Sequence, residues 1–257
     1  MFTLGVARRF LAEHPGHPDV YAALQEQADA LDLQSEHVWQ VLELRRRARA
    51  LRAEQAPGGL LDTSVFQTED GWGPIARVEM ERAAEADPAL VALPGLLARA
   101  TTARPTQTWL RDVQQLVAGS EPAASLLAAL LTSLTEIPFT PVPPTRDDPA
   151  DTWLVSPGNA VLLRGCALAA RFVVGDHVAG LLGLVALRGG RSHPEPWVTT
   201  ALCAPAAGAA IDTLGVRRDS GDQEAGTQLG LLGGEITRRD LLKRVHAALA
   251  VAPVRKN

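Results

Sequence analysis

Lysine, aromatic residues and cysteine are all scarce in this 257-residue chain. Two of its 25 Lys+Arg residues, Lys243 and Lys256, are lysine, which leaves 23 arginines. With the abundance of Ala, Gly and Pro, that bias reflects GC-rich coding and carries no functional meaning. Aromatics amount to 4% with a single tyrosine, Tyr21, so an aromatic-rich β-sandwich or barrel is disfavoured. Two cysteines, Cys166 and Cys203, cannot build a disulfide framework or a four-thiolate metal site. Each sits in an apolar stretch and is expected to be a small buried hydrophobe.

Long apolar runs are missing as well. The most apolar stretch, 161–187, is interrupted by Arg164, Arg171, Asp176 and His177. A bilayer span needs ~20 mostly apolar residues and tolerates a central aspartate poorly. Two short buried helices are therefore predicted there, with no membrane partner. The start, MFTLGVARRFLAEHPG, places two arginines and a glutamate where a signal peptide requires an apolar core, so a cytoplasmic location is the expectation. Charge is nearly balanced at −4, unlike the basic excess of most nucleic-acid binders, and the 46% hydrophobic content is too high for disorder.

Catalytic signatures are equally scarce. No G-x-x-x-x-G-K-[ST], H-E-x-x-H or G-x-S-x-G occurs. The glycine clusters at 183–190 and 230–234 follow no strand pattern and read as helix stops. His14 and His17 flank Pro15-Gly16, too irregular for a helix-borne ligand pair, and His37, His193 and His246 are isolated. Asp176-His177 reads as a helix cap, and Glu79 with Glu81 diverge on a helix. No metal or cofactor is implied.

What is present is helix signal. Val20, Leu24, Ala28 and Leu31 recur at helical spacing, and Ser35 opens a second helix ended by Pro57-Gly58-Gly59. Residues 57–73 form a long loop. Further starts fall at Pro74, Asp87-Pro88, Pro105, Ser120-Glu121-Pro122 and Ser156-Pro157, with Asn159 read as an N-cap and Pro94 expected to kink or split its helix. Gly175-Asp176, Pro205 and Asp222 head three more, and Thr237 with Asp240 suggests a capping box on the last. No run of strands with period-two alternation is found. The chain is predicted to be all-α: a HEAT-like α-solenoid of short antiparallel helix pairs in two halves, with a compact irregular bundle as the alternative. Five prolines in IPFTPVPPTRDDPAD set the divide, giving an N-terminal region 1–136, a linker 137–152 and a C-terminal region 153–257.

Within the last region, GNAVLLRGCALAA, AAGAAIDTLG and LLGGEITRRDLLKRVHAALA follow one another. This order resembles the HEAT-like helical region of a large bacterial family related to the molybdate-metabolism regulator MolR. Asn159, Leu162, Leu163, Arg164 and Gly165 match its N-x-x-L-L-R-G helix. Ala209, Ala210, Leu214 and Gly215 match its alanine-rich helix, with Gly208 where the family has asparagine. Leu242, Val245, Ala248 and Leu249 match its terminal helix. The family's tyrosine- and lysine-rich loop is replaced by RGGRSHPEPW. The resemblance spans about residues 153–251 and implies a helical-repeat fold without implying a reaction.

Three features carry candidate binding residues. Arg45, Arg49 and Arg52 lie at i, i+4 and i+7 and form a basic stripe, suited to phosphates or an acidic partner or simply solvated. Glu69, Asp70 and Trp72 form either a recognition tip in the long loop or a hydrophobic plug folded back. Arg164, in an apolar helix, must pair with an acid or face a groove, and an ion pair is the commoner resolution. The expected function is a non-catalytic module presenting a helical-repeat surface to a protein partner. The enzyme alternative is a HEAT-like alkylpurine DNA glycosylase, for which Trp109, Trp153, Trp197, Asp112 and Asp151 are the candidate residues. A small-molecule sensor is a third reading, without a polar signature.

Overall fold

The computed structural model describes residues 61–68, 70–137, 155–175, 177–192 and 201–250. The chain divides into two units between Ser64 and Val65, and every described α-helix belongs to the second. Among the described residues the secondary structure is helical, with one isolated antiparallel bridge between Ser192 and Ala201. The all-α expectation holds.

Helix α1 is Gly73–Ala86, with Pro74 in its first turn. Asp87 accepts a hydrogen bond from the Ala89 amide and opens a 3-10 turn, Pro88–Ala92, which leads into the short α2, Leu93–Leu97. Pro94 thus splits this segment, because its ring cannot continue a preceding helical turn. Thr106 caps α3, Gln107–Val117, and Ser120 caps α4, Glu121–Glu136. The apolar stripe of α4, including Leu126, Leu127, Leu130, Leu131 and Leu134, is buried.

Helix α5 is Pro157–Ala169, followed by a 3-10 turn, Ala170–Phe172, and α6 is His177–Gly190. These are the two short buried helices expected from the interrupted apolar stretch, and among the described residues no single helix is long and apolar enough to cross a membrane. Helix α7, Ala204–Asp219, packs against α5, α6, α8 (Gln223–Glu235) and α9 (Arg239–Leu249). Its sequence explains this central place. Ala206, Ala207, Ala209, Ala210, Ile211, Leu214 and Gly215 are buried all around the helix, so no single side faces water. Small side chains let four neighbours approach its axis.

Gly165 does the same for α5. A Cβ there would stand 2.5 Å from the Leu97 carbonyl oxygen, so α5 rests directly on the end of α2. Helices α4 to α9 pack mainly on neighbours one or two places along the chain, such as α4 on α6, α5 on α7, α6 on α8 and α7 on α9.

Helices on either side of residues 138–154 pack on one another, α2 and α4 on α5 and α4 on α6. Two details differ from expectation, both at helix starts. Ser156, not Asn159, caps α5; its hydroxyl accepts from the Asn159 amide at 3.5 Å, and Asn159 is buried inside the first turn. Arg238 occupies the N-cap of α9 without a side-chain cap bond, so the Thr237 capping box does not form; Asp240 lies 3.4 Å from Arg238 instead.

Candidate functional site

Asp70 and Trp72 do not form a surface tip. The Asp70 carboxylate accepts from the Trp72 amide at 2.9 Å and the Gly73 amide at 2.7 Å, capping α1 in the manner of an Asx turn. Its other oxygen accepts from the Ser156 amide and from Asn159 Nδ2 at 2.9 Å. Asn159 completes the link by donating to the Gln67 carbonyl at 2.7 Å and accepting from the Gln67 amide at 3.0 Å. Trp72 is fully buried; its indole N–H donates to the Leu130 carbonyl at 3.0 Å and its ring meets Phe66 at 6.3 Å between centroids. The plug is what forms. A buried indole with its donor satisfied is more stable than one held in water. Glu69, Arg45, Arg49 and Arg52 lie outside the described residues.

The residues of the enzyme alternative that can be placed are structural too. Trp109 is buried and donates to the Leu96 carbonyl at 2.8 Å, and Asp112 pairs with Arg99 at 3.0 Å. Trp153, Trp197 and Asp151 lie outside the described residues. Both cysteines are buried and free, and burial pushes the Cys166 thiol up to about 12 and the Cys203 thiol up to about 11. Neither is a nucleophile at neutral pH. No group of three His, Cys, Asp or Glu suited to a metal occurs among the described residues.

Arg164 neither forms the expected ion pair nor stands alone. Its guanidinium donates to the Ala100 carbonyl at 3.2 Å and to the Thr101 carbonyl, just beyond the end of α2. These carbonyls belong to the loop after α2, and a guanidinium that donates to both of them is satisfied without a carboxylate. Seven residues on, in the 3-10 turn after α5, Arg171 donates through Nε to the Leu168 carbonyl at 2.9 Å. The other guanidinium nitrogens of Arg171 have no hydrogen-bond partner among the described residues. Partial burial holds both arginines below the usual guanidinium range.

On α9, Arg244 reaches Asp212 of α7 at 2.6 Å, with the two side chains 39% and 35% exposed. The Arg244 guanidinium lies over Gly208, where a Cβ would stand 3.5 Å from its carbon and nitrogens. Arg171 and Arg104 are also close enough for their charges to act on Asp212, and Arg244 repels Arg164. Burial nevertheless raises the Asp212 carboxyl above its ordinary range, outweighing these cations. Three arginines, from the loop before α3, from the turn after α5 and from α9, thus act on a single carboxylate on α7, and Arg164 of α5 is close enough to Arg244 to feel its charge. The excess around Asp212 is two positive charges on a chain whose net charge is −4.

Of the described residues expected from sequence to bind a partner, only Arg164 belongs to this cluster. Arg171, Arg244, Arg104 and Asp212 were not anticipated as site residues. The signal for Arg171 was its i+7 spacing from Arg164 across an apolar helix; for Arg244 and Arg104 there was none in the local sequence. Comparison with known proteins finds no family model, no curated protein and no solved structure that matches the chain.

Proposed function

We propose that the chain is a non-catalytic helical-repeat module, and that the basic cluster around Asp212 is where it holds a protein partner. The cluster itself carries the proposal. Several half-buried guanidiniums with unused donors, set around one carboxylate, form a surface that an anionic group completes. The packing of α4 to α9 on near neighbours along the chain supports a solenoid of stacked helix pairs, in which binding surfaces run across several helices. The likeness of residues 153–251 to the helical region of the MolR-related bacterial family is in keeping with this. The site suits recognition rather than turnover, since the described cysteines and tryptophans serve packing.

The DNA-glycosylase alternative draws on the same arginines but needs exposed aromatic side chains to receive a displaced base. Phe66, Trp72 and Trp109 are buried. The test is capture from host lysate with the full chain as bait at ~50 mM and ~200 mM salt, followed by mass spectrometry and nucleic-acid staining. One protein retained at both salts, and rebinding when purified, is the expected outcome. Nucleic acid retained only at low salt, with base release from alkylated duplex DNA, would replace the proposal by the enzyme alternative.

A further inference from the structure

We infer that the basic cluster takes an acidic peptide segment of the partner, whose carboxylates replace Asp212 as the counter-ion of Arg244 and engage Arg171 and Arg164. The inference rests on the function proposed above and names the chemistry of that same site.

Spacing favours a run of carboxylates over one compact anion. Arg164 and Arg171 are seven residues apart on α5 and its following turn, which at 1.5 Å per residue is about 10 Å. Arg244 lies on another helix, held over Gly208 and tied to Asp212. Arg164 and Arg171 are thus too far apart for both to converge on a single phosphate. An extended peptide advances ~3.3 Å per residue, so acidic side chains two or three positions apart match the spread.

Guanidinium geometry agrees. Each planar guanidinium offers paired N–H donors that fit a carboxylate. Arg171 uses only Nε, leaving its terminal nitrogens for a ligand. Arg164 uses one terminal nitrogen for two backbone carbonyls and keeps the other. Asp212 already occupies Arg244, and burial disfavours its charged form. The pair is part-exposed on both sides, so an incoming carboxylate can reach Arg244 and compete with Asp212. A polynucleotide is the poorer match, because Phe66, Trp72 and Trp109 are buried and offer no face for stacking.

The experiment is fluorescence polarisation on the full chain with a labelled Glu/Asp-rich peptide of about 12 residues. A labelled single-stranded oligonucleotide of like charge and unlabelled inorganic phosphate as competitor form the other arms. The peptide is expected to bind and to weaken about tenfold between ~50 mM and ~200 mM salt. Arg171→Gln combined with Arg244→Gln should weaken it by roughly a further tenfold or more. Asp212→Asn should tighten it roughly threefold, which a merely structural Asp212 would not do. Melting temperatures within about 5 °C of the unaltered chain establish that the variants fold.

Unchanged peptide affinity in the folded double variant, or weaker binding in Asp212→Asn, overturns the inference. So does competition by phosphate at concentrations where the peptide is saturated. A lysate protein retained equally by the double variant overturns the acidic-peptide inference while leaving a protein-binding module in place. An oligonucleotide that binds more tightly than the peptide and is lost in the double variant overturns both.

Discussion

Asn159 shows how one buried amide can hold a segment in place. Its side chain makes three hydrogen bonds to Gln67 and Asp70, and it is fully buried. Asn159→Leu would remove those partners and leave the Gln67 amide and carbonyl unpaired, at about 1–3 kcal/mol for each buried group left unsatisfied. The expected result is a loss of roughly 2–4 kcal/mol of stability, read by urea unfolding. Arg217 has a similar place: almost fully buried, it pairs with Asp222 at 2.7 Å and donates to the carbonyls of Ala170, Val173 and Gly175. Removing it leaves a part-buried carboxylate unpaired and frees the turn after α5, so Arg217→Met should cost about 2–4 kcal/mol.

The cysteines give a pH signature at the same scale. Their folded-state pKa values, about 12 for Cys166 and about 11 for Cys203, lie above the ordinary value of 9.0. The thiols stay protonated in the fold while the unfolded chain loses those protons as pH rises past 9. Their contribution is thus intact below pH 9 and lost progressively between 9 and 11–12. At pH 10 each raised thiol lowers stability by about 1.4 kcal/mol relative to neutral pH. Thermal melts from pH 7 to 10.5 should show a decline whose slope is shallower in Cys166→Ala.

Among the elements, α7 bears the most neighbours. Its amides are expected to exchange slowest with solvent, since α5, α6, α8 and α9 must all separate before they open. Hydrogen exchange resolved by peptide would show this, with α9 exchanging sooner. The seat of α5 on α2 depends on Gly165. Gly165→Ala sets a Cβ 2.5 Å from a backbone oxygen, which cannot rotate away as a side chain would. Helix propensity alone would make this change favourable, yet overpacking should make it destabilising by about 1–3 kcal/mol. A rise in melting temperature would show that α2 can shift aside.

For the whole molecule, the boundary between Ser64 and Val65 leads to a prediction about fragments. A fragment spanning 65–257 retains the helices that pack on one another and should melt cooperatively. A fragment starting at residue 153 loses α4, against which α5 and α6 pack, and loses the Gln67 and Asp70 partners of Asn159. It should show weaker ellipticity per residue and no sharp transition by circular dichroism.

The helical class, most helix starts and the buried state of both cysteines are legible in the sequence because each depends on nearby residues. Ser120 and Asp222 cap their helices as their spacing suggests, and Pro94 splits its segment by a clash with its own preceding turn. Trp72 is ambiguous for the opposite reason. Whether an indole plugs a core or meets a partner depends on a carbonyl 58 residues away, on Leu130. Arg164 likewise takes acceptors 63 and 64 residues distant, and the Arg244–Asp212 pair joins two helices 32 residues apart. The basic cluster exists only because small residues on α7 let α5 and α9 approach the same helix. Periodicity and capping chemistry are local and can be read along the chain. Convergence of charge on one face is set by how helices pack, and only the tertiary structure decides it.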